Sequence, residues 1–420
     1  MTYSKVDGGR PAIVMSAFAA NPDMSSETGI GWLFIKVASE IADASGCSVH
    51  AFMNMRSAIR VQAELERLAI STVVAVGIDM PRPLAFLERN PQLTRLEYLV
   101  WFARAKRQIK ELSRTQDVIF GHHVTFATEM LPTPISALPP SAFRVWGPVG
   151  ASGNSAVYDV EPTSELSRRE KRLQRIRDFL ARRAGRSFSK NIDLVLAQND
   201  SVRDLFSNFG KTVRTFPNVV IKDDLQDQIN GLPLSVSRGT DGRGLRLLAV
   251  GHLIPRKRFE IAIAAMQDER LNGSMLTILG APLPGTPSYL PELVDRLGLT
   301  DRITFAGKLP RPEVLKHMNE ADVLIHPSAR EGASGVVGEA TAVGIPVVCF
   351  DRTGASSVLD ASGASGRSVP AESSNTSAFV DAILTAAELP RIRAAVWTER
   401  RFKLLVEELL TEAVGLRNRA

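Results

Sequence analysis

The sequence predicts an α/β protein built as two Rossmann-like halves that face each other across a cleft. Three observations predict it. Short β-rich runs alternate with longer helical patterns to the end of the chain, as in parallel sheets wrapped by helices. A polar stretch, residues 222–244, separates two comparable sets of βα units and reads as a linker, neither strand nor helix. Composition agrees: 420 residues leave room for two or three domains, and 44% hydrophobic with 23% charged is ordinary globular usage. The longest apolar runs are about ten residues, half of what a membrane-spanning helix needs. The two cysteines, Cys47 and Cys349, exclude a disulfide scaffold and fit a reducing cytoplasm.

In chain order, the first strand is expected at Ala12–Phe18. This run loosely resembles a signal peptide, but Asp7, Pro11 and the absence of a Leu-rich core favour a buried strand. Further strands are expected at Asp117–Phe120, Arg144–Trp146 and Asp193–Ala197. The second half offers Leu245–Val250, Met275–Leu279, Arg302–Ala306, Asp322–His326 and Pro346–Phe350. Each is a short apolar run, as strands buried on both faces are. Helices follow at Thr376–Glu388 and, after a Leu389-Pro390 break, Val396–Val414. The expected domains are therefore 1–221, joined by a returning helix at 396–420, and 245–395, with 222–244 between them. Ligands of such sheets bind at the carboxyl ends of strands, so the residues just after each strand are the candidates.

The sharpest pattern follows the strand Asp322–His326. Pro327-Ser328-Ala329-Arg330-Glu331 runs into small residues at Gly332–Gly335, and Val336–Gly344 reads as a helix with a glycine stop. Small residues let a backbone approach a ligand closely, and a helix start presents free amides to an anion. Glu331 precedes that helix and Glu339 lies eight positions later. Two carboxylates beside an anion-binding helix start suit a ligand carrying both phosphate and hydroxyls, because carboxylates accept strong hydrogen bonds from hydroxyls. A nucleotide sugar has that make-up.

On these residues the chain resembles glycosyltransferase family 4, the retaining group 1 glycosyltransferases of the GT-B fold. The resemblance implies that Glu339 binds the donor ribose, that Glu331 faces the transferred sugar, and that the amides of Ser334, Gly335 and Val336 meet the diphosphate. The sequence departs from the commonest form, which has an aromatic residue and a glycine where Ala333 and Ser334 stand. After Leu245–Val250 comes Gly251-His252-Leu253-Ile254-Pro255-Arg256-Lys257-Arg258. In the family a basic pair here neutralises the departing diphosphate; Lys257 matches one member, and His252 occupies the place of the other, so that contact is either lost or moved to Arg256. Read without the family, the lesser alternative for three consecutive cations is a solvated turn. The segment with Gly307 and Lys308 resembles the one whose backbone brackets the nucleotide base.

In the first half, Ser25-Ser26-Glu27-Thr28-Gly29-Ile30-Gly31-Trp32 resembles a family loop whose glycines, here Gly29 and Gly31, close over the donor. His122-His123-Val124-Thr125-Phe126 and Gly147-Pro148-Val149-Gly150 resemble further family segments. There His123 matches the cleft histidine that holds the transferred sugar, with His122 as the fallback. A metal site at this pair lacks a third ligand at suitable spacing. No Asp-x-Asp occurs, so the expectation is a metal-independent hexosyltransferase with no cofactor, using a UDP- or GDP-sugar as substrate. The acceptor expected is a glycan or lipid-linked saccharide, in cell-surface or extracellular polysaccharide synthesis. The alternatives are a GT-B epimerase or phosphorylase, or a non-catalytic basic module for membrane or nucleic acid. Aromatic residues make up 6% of the chain and do not interleave with the basic runs, which argues against a stacking nucleic-acid platform.

The net charge of +6 is concentrated. Ser167–Ser187 alone nets +7, leaving the rest of the chain near neutral. It carries Arg168, Arg169, Lys171, Arg172, Arg175, Arg182 and Arg183, with Leu173, Ile176 and Leu180 at helical spacing. Phe102–Arg114 is a smaller version. Two readings stand open. The helix meets an anionic membrane at the inner face of the plasma membrane, or it packs on the domain by its apolar stripe with the cations solvated.

Overall fold

The computed structural model describes the chain except residues 1–9, 25–26, 151–153, 234–243, 284–287, 374, 395 and 418–420. The first half runs β1 (Ala12–Ala17), α1 (Glu27–Ser45), β2 (Ser48–Asn54), α2 (Met55–Arg67), β3 (Val73–Ile78), α3 (Thr94–Thr115) and β4 (Val118–Thr125). It continues with β5 (Phe143–Val149), α4 (Glu165–Phe188), β6 (Leu194–Ala197), α5 (Asp200–Ser207), β7 (Thr212–Thr215) and α6 (Asp223–Gly231). The second half runs β8 (Arg246–Val250), α7 (Phe259–Ala265), β9 (Met275–Leu279), α8 (Leu290–Arg296), β10 (Ile303–Gly307), α9 (Arg311–Glu320) and β11 (Val323–His326). It ends with α10 (Gly335–Val343), β12 (Val347–Phe350), α11 (Gly354–Ser362), β13 (Gly366–Val369), α12 (Thr376–Ala387) and α13 (Glu399–Arg417).

Two parallel sheets result, in the orders β3-β2-β1-β4-β5-β6-β7 and β10-β9-β8-β11-β12-β13. Both reverse direction of growth at a switch point, β1/β4 in the first and β8/β11 in the second. β1 shows why central strands read as unbroken apolar runs. Ile13 and Met15 face one core cluster, while Ala12 and Val14 face the other. Four strands have no counterpart among the expected runs: β2, β3, β7 and β13. β7 and β13 are sheet edges with exposed polar residues, so no apolar run marks them. β2 carries His50 and Asn54 among its apolar residues, whereas the edge strand β3 is half-buried yet is an apolar run like those of the expected strands.

Three departures matter for the site. The stretch expected to lack helix forms α6, anchored by fully buried Ile229, with Asp223 and Asp224 placed favourably at its start. Residues 234–243 of that stretch lie outside the described residues. Val157, Tyr158 and Val160 belong to the core of the second domain, although they precede α4 in the first. The buried Arg258 guanidinium holds them there, donating to the Val157, Val160 and Pro162 carbonyls and to Glu260. α4 thus starts on the second domain, where the Ser167 hydroxyl donates to Glu260 at 2.7 Å, and ends on the first, where Gly185 meets Phe206. The chain returns through α13, whose Phe402, Leu405, Val406 and Leu409 join the first domain's core. The Phe402 ring packs edge-on against Phe34 of α1, with centroids 5.1 Å apart.

Candidate active site

The switch point of the second sheet lies between the carboxyl ends of β8 and β11, and both ends carry charge. β8 gives way to Gly251 at φ +149, then a turn at Pro255–Lys257 and Arg258 in the left-handed region. A β-carbon at Gly251 would press on the Lys257 chain at 3.1 Å, so the glycine leaves room for that lysine to fold back. Lys257 is 8% exposed and Arg258 fully buried, so this is no solvated turn. The Lys257 ammonium donates to Glu331 Oε1. The same oxygen accepts from the Ser328 hydroxyl at 2.9 Å and lies 3.6 Å from His326 Nε2. Arg256 stands 3.7 Å from Oε2 and donates to the Arg330 carbonyl. Burial alone would raise the Glu331 pKa, but Lys257, then His326 and Arg256, hold the carboxyl well below the usual range.

Three residues beyond Glu331, Ser334 caps α10, its hydroxyl accepting from the Val337 amide at 3.4 Å. The amides of Gly335 and Val336 fall in the first turn, where no intrahelical acceptor exists. The β-carbon position of Gly335 faces open space. Glu339, the next turn in, is 5% exposed. Its Oε1 accepts from Arg311 of α9 at 2.6 Å, whereas its Oε2 is buried with no partner. Burial, only partly offset by Arg311, pushes its pKa up to about 7. Two carboxylates of opposite disposition therefore flank one helix start: Glu331 saturated with cations, Glu339 with an oxygen open to a donor. Gly307 ends β10 at φ +70, and Lys308 beside it is exposed.

The first domain contributes residues that the motifs did not single out. The Asn199 side-chain amide donates to the Glu331 and Gly332 carbonyls, at 3.1 and 3.0 Å. A β-carbon at Gly332 or at Gly150 would lie about 2 Å from Gln198 Oε1, so both glycines exist to admit that side chain. Gln198 and Asn199 follow β6 directly, and the strand-end rule would have pointed to them. Arg311, at a helix start rather than a strand end, had no such signal.

Other first-domain expectations are corrected. His123 does not offer a ring nitrogen to a ligand. It is fully buried, with Nδ1 2.8 Å from the Ser16 hydroxyl and Nε2 3.2 Å from the Tyr98 hydroxyl. Burial, with His122 adjacent, pushes its pKa down to about 3, so it is neutral. His122 is equally buried and pairs through Nε2 with the Gly147 carbonyl at 2.7 Å. Gly29 and Gly31 are not in a loop: both are buried in α1. A β-carbon on Gly31 would meet Thr125 Cγ2 at 2.6 Å, and one on Gly29 the Met24 carbonyl oxygen. They serve close packing. Ser25 and Ser26 of that motif lie outside the described residues.

With the geometry in place, comparison with known proteins is informative. Residues 235–402 match the family model of glycosyl transferases group 1. The second domain is the part recognised. Among curated relatives, D-inositol 3-phosphate glycosyltransferase of Mycolicibacterium smegmatis is 34% identical over 120 residues, 28% of this chain and 27% of that protein. Amylovoran biosynthesis glycosyltransferase of Erwinia amylovora is 28% identical over 124 residues, 28% of this chain and 30% of that protein. The matches thus span less than a third of these relatives' own length. The whole chain aligns in three dimensions with sucrose-phosphate synthase of Thermosynechococcus elongatus, TM-score 0.57 at 17% identity over 97% of this chain and all of the other. The galactosyltransferase WaaB of the lipopolysaccharide outer core aligns with TM-score 0.63 at 12% identity, over 96% of this chain and 99% of that one. The fold is GT-B.

Proposed function

We propose that the protein is a retaining hexosyltransferase, moving a sugar from a nucleotide-sugar donor to a glycan or lipid-linked saccharide acceptor without a metal ion. One observation carries the reading: Lys257-paired Glu331 and half-partnered Glu339 flank the free amides of α10 at the switch point of the second sheet. The amides of Gly335 and Val336 take the diphosphate. Ionised Glu339 accepts from the ribose hydroxyls through its unpartnered oxygen. The bond between the anomeric carbon and the phosphate oxygen breaks while the acceptor oxygen bonds to that carbon from the same face. The acceptor proton passes to the leaving phosphate. Lys257 and Arg256 stabilise the charge that develops there, the task of pre-oriented cations in a water-poor site. Glu331 fixes Lys257 and faces the sugar. The buried His123 is left with a positioning role, tying β4 to β1 and α3.

The amylovoran relative supports a saccharide acceptor in polysaccharide synthesis, while the inositol phosphate relative supports a polyhydroxylated acceptor more broadly. The test is thermal unfolding with UDP-, GDP- and ADP-sugars. The expected result is an upward melting shift with at least one donor, worth about 2.7 kcal/mol at a hundredfold excess over Kd, and abolished in Glu339→Ala. A flat response to every donor overturns the reading. Conversion of the donor sugar without an acceptor would place the site with the epimerases instead.

A further inference from the structure

Helix α4 presents its apolar side chains to solvent. The residues it buries are Ser167, Gln174, Ala181 and Gly185, a stripe of small and polar groups. Leu173, Ile176, Phe179 and Leu180 are 37, 57, 65 and 48% exposed. Of the two readings the sequence left open, packing by the apolar stripe fails, because the stripe points out. Around it stand Arg168, Arg169, Arg172, Arg175, Arg182 and Arg183, all exposed and none ion-paired with another described residue. The basic residues that do pair, Lys171 with Asp159 and Arg177 with Glu170, lie nearer the packed face.

We propose that this outer face of α4 docks on an anionic lipid bilayer. A contiguous patch of exposed aliphatic and phenyl groups marks an interaction surface, and the arginines around it select a negatively charged partner. The headgroup–acyl boundary of an anionic leaflet satisfies both at once. A nucleic acid would answer the arginines but not Ile176 and Leu180. A second mixed patch lies on α3, which packs against the same face of the first sheet. Leu96 and Leu99 are exposed there, with Lys106 and Lys110 further along the helix. The inner face of α4 touches the candidate site: Arg330 donates to Gln174 Oε1 at 3.4 Å, one residue before Glu331. Docking would bring that loop close to the membrane surface, where a lipid-linked acceptor resides.

The test uses the full chain and sedimentation with vesicles of phosphatidylcholine alone or mixed with phosphatidylglycerol. Binding is expected only to the mixed vesicles and is weakened by salt. Reversing Arg172, Arg175 and Arg183 to Glu should lower the partition coefficient by at least about a hundredfold, at about fivefold per cation. Ile176→Ser with Phe179→Ser, which keeps every charge, should lower it by about tenfold or more. Both variants alter exposed positions, so melting temperatures should match the wild type. The proposal is overturned if the wild type ignores anionic vesicles or if the apolar variant binds them as well as the wild type. It is equally overturned if that variant instead dissociates a dimer, which would make a second copy the occupant. Because the readout is vesicle binding, the outcome is independent of the transferase reading.

Discussion

The two halves share the start of their strand order, β3-β2-β1-β4 and β10-β9-β8-β11, yet they handle polar residues at the switch point differently. In the second half the strand ends bury charge: Lys257, Glu331 and Glu339 are all nearly inaccessible, and one Glu339 oxygen lacks a partner. In the first half the corresponding polar groups, His122 and His123, are neutral, with His123 bonded at both nitrogens. Buried charge costs free energy that packing does not return. Neutral groups carry a smaller debt, even though His122 Nδ1 is buried without a partner among the described residues. The difference teaches that one scaffold can host binding chemistry at one switch point and core packing at the other, while the first half carries its cations outside, on α3 and α4.

The largest test sets Lys257 against His123. Lys257→Ala should reduce nucleoside diphosphate release from the active donor by about 10²–10³, while Arg256 still faces Glu331. His123→Phe should instead lower the melting temperature by breaking the Ser16 and Tyr98 bonds, a loss of about 1–3 kcal/mol, with the donor-induced shift retained. If His123→Phe abolished turnover without touching stability, the contrast between the halves would collapse.

A glycine from each half gives the next comparison. Gly31→Ala forces a β-carbon to 2.6 Å from Thr125 and 3.0 Å from the Ala19 carbonyl oxygen. It should cost about 1–3 kcal/mol in denaturant unfolding. Gly335→Ala meets nothing within 4 Å. It should leave stability unchanged or slightly higher and yet weaken donor binding in calorimetry, since the methyl enters the space assigned to the diphosphate.

Glu339 predicts a pH dependence. Its pKa in the folded protein is raised to about 7, so its contribution to stability is present below the ordinary carboxylate value and is lost as pH rises through 7. Donor binding runs the other way, because ribose hydroxyls need the ionised form. Affinity for the donor should therefore fall about tenfold from pH 8 to pH 6, with one proton released per donor bound near pH 6. A nucleotide sugar has no phosphate titrating in that window, so the effect belongs to the protein. A flat profile would mean that Glu339 is already ionised or does not meet the donor.

What the sequence revealed follows the same division. The cluster of Glu331, Glu339 and Lys257 was legible because Lys257 and Glu331 lie in short segments right after β8 and β11 and Glu339 one turn into α10, where local sequence and spatial neighbourhood coincide. Gly31 and His123 bear equally suggestive motifs, but their roles depend on Thr125, Ser16 and Tyr98, partners brought in by the fold from distant positions. The edge strands β7 and β13 stayed hidden because half-exposed strands need no apolar run. Periodicity revealed that α4 is amphipathic but not which way it faces. Its orientation is set by Ser167 on Glu260 and Gly185 against Phe206, contacts with no sequence mark.

The smallest expected effect lies where the halves meet. Asn199 belongs to the first domain, but its amide donates to two carbonyls of the second, at Glu331 and Gly332. Asn199→Ala removes both donors and also the cap of α5, whose Val202 amide the same side chain accepts. Loss of the cap alone costs about 1 kcal/mol. Asn199→Ser separates the two roles, since a serine hydroxyl still caps the helix but is too short to donate to the two carbonyls. The serine variant should melt closer to the wild type than the alanine variant and bind donor a few-fold more weakly, because the loop that carries Glu331 loses its cross-domain support. Equal donor affinity in the two proteins would show that the second half shapes its site alone, and the contact between the halves would then serve stability only.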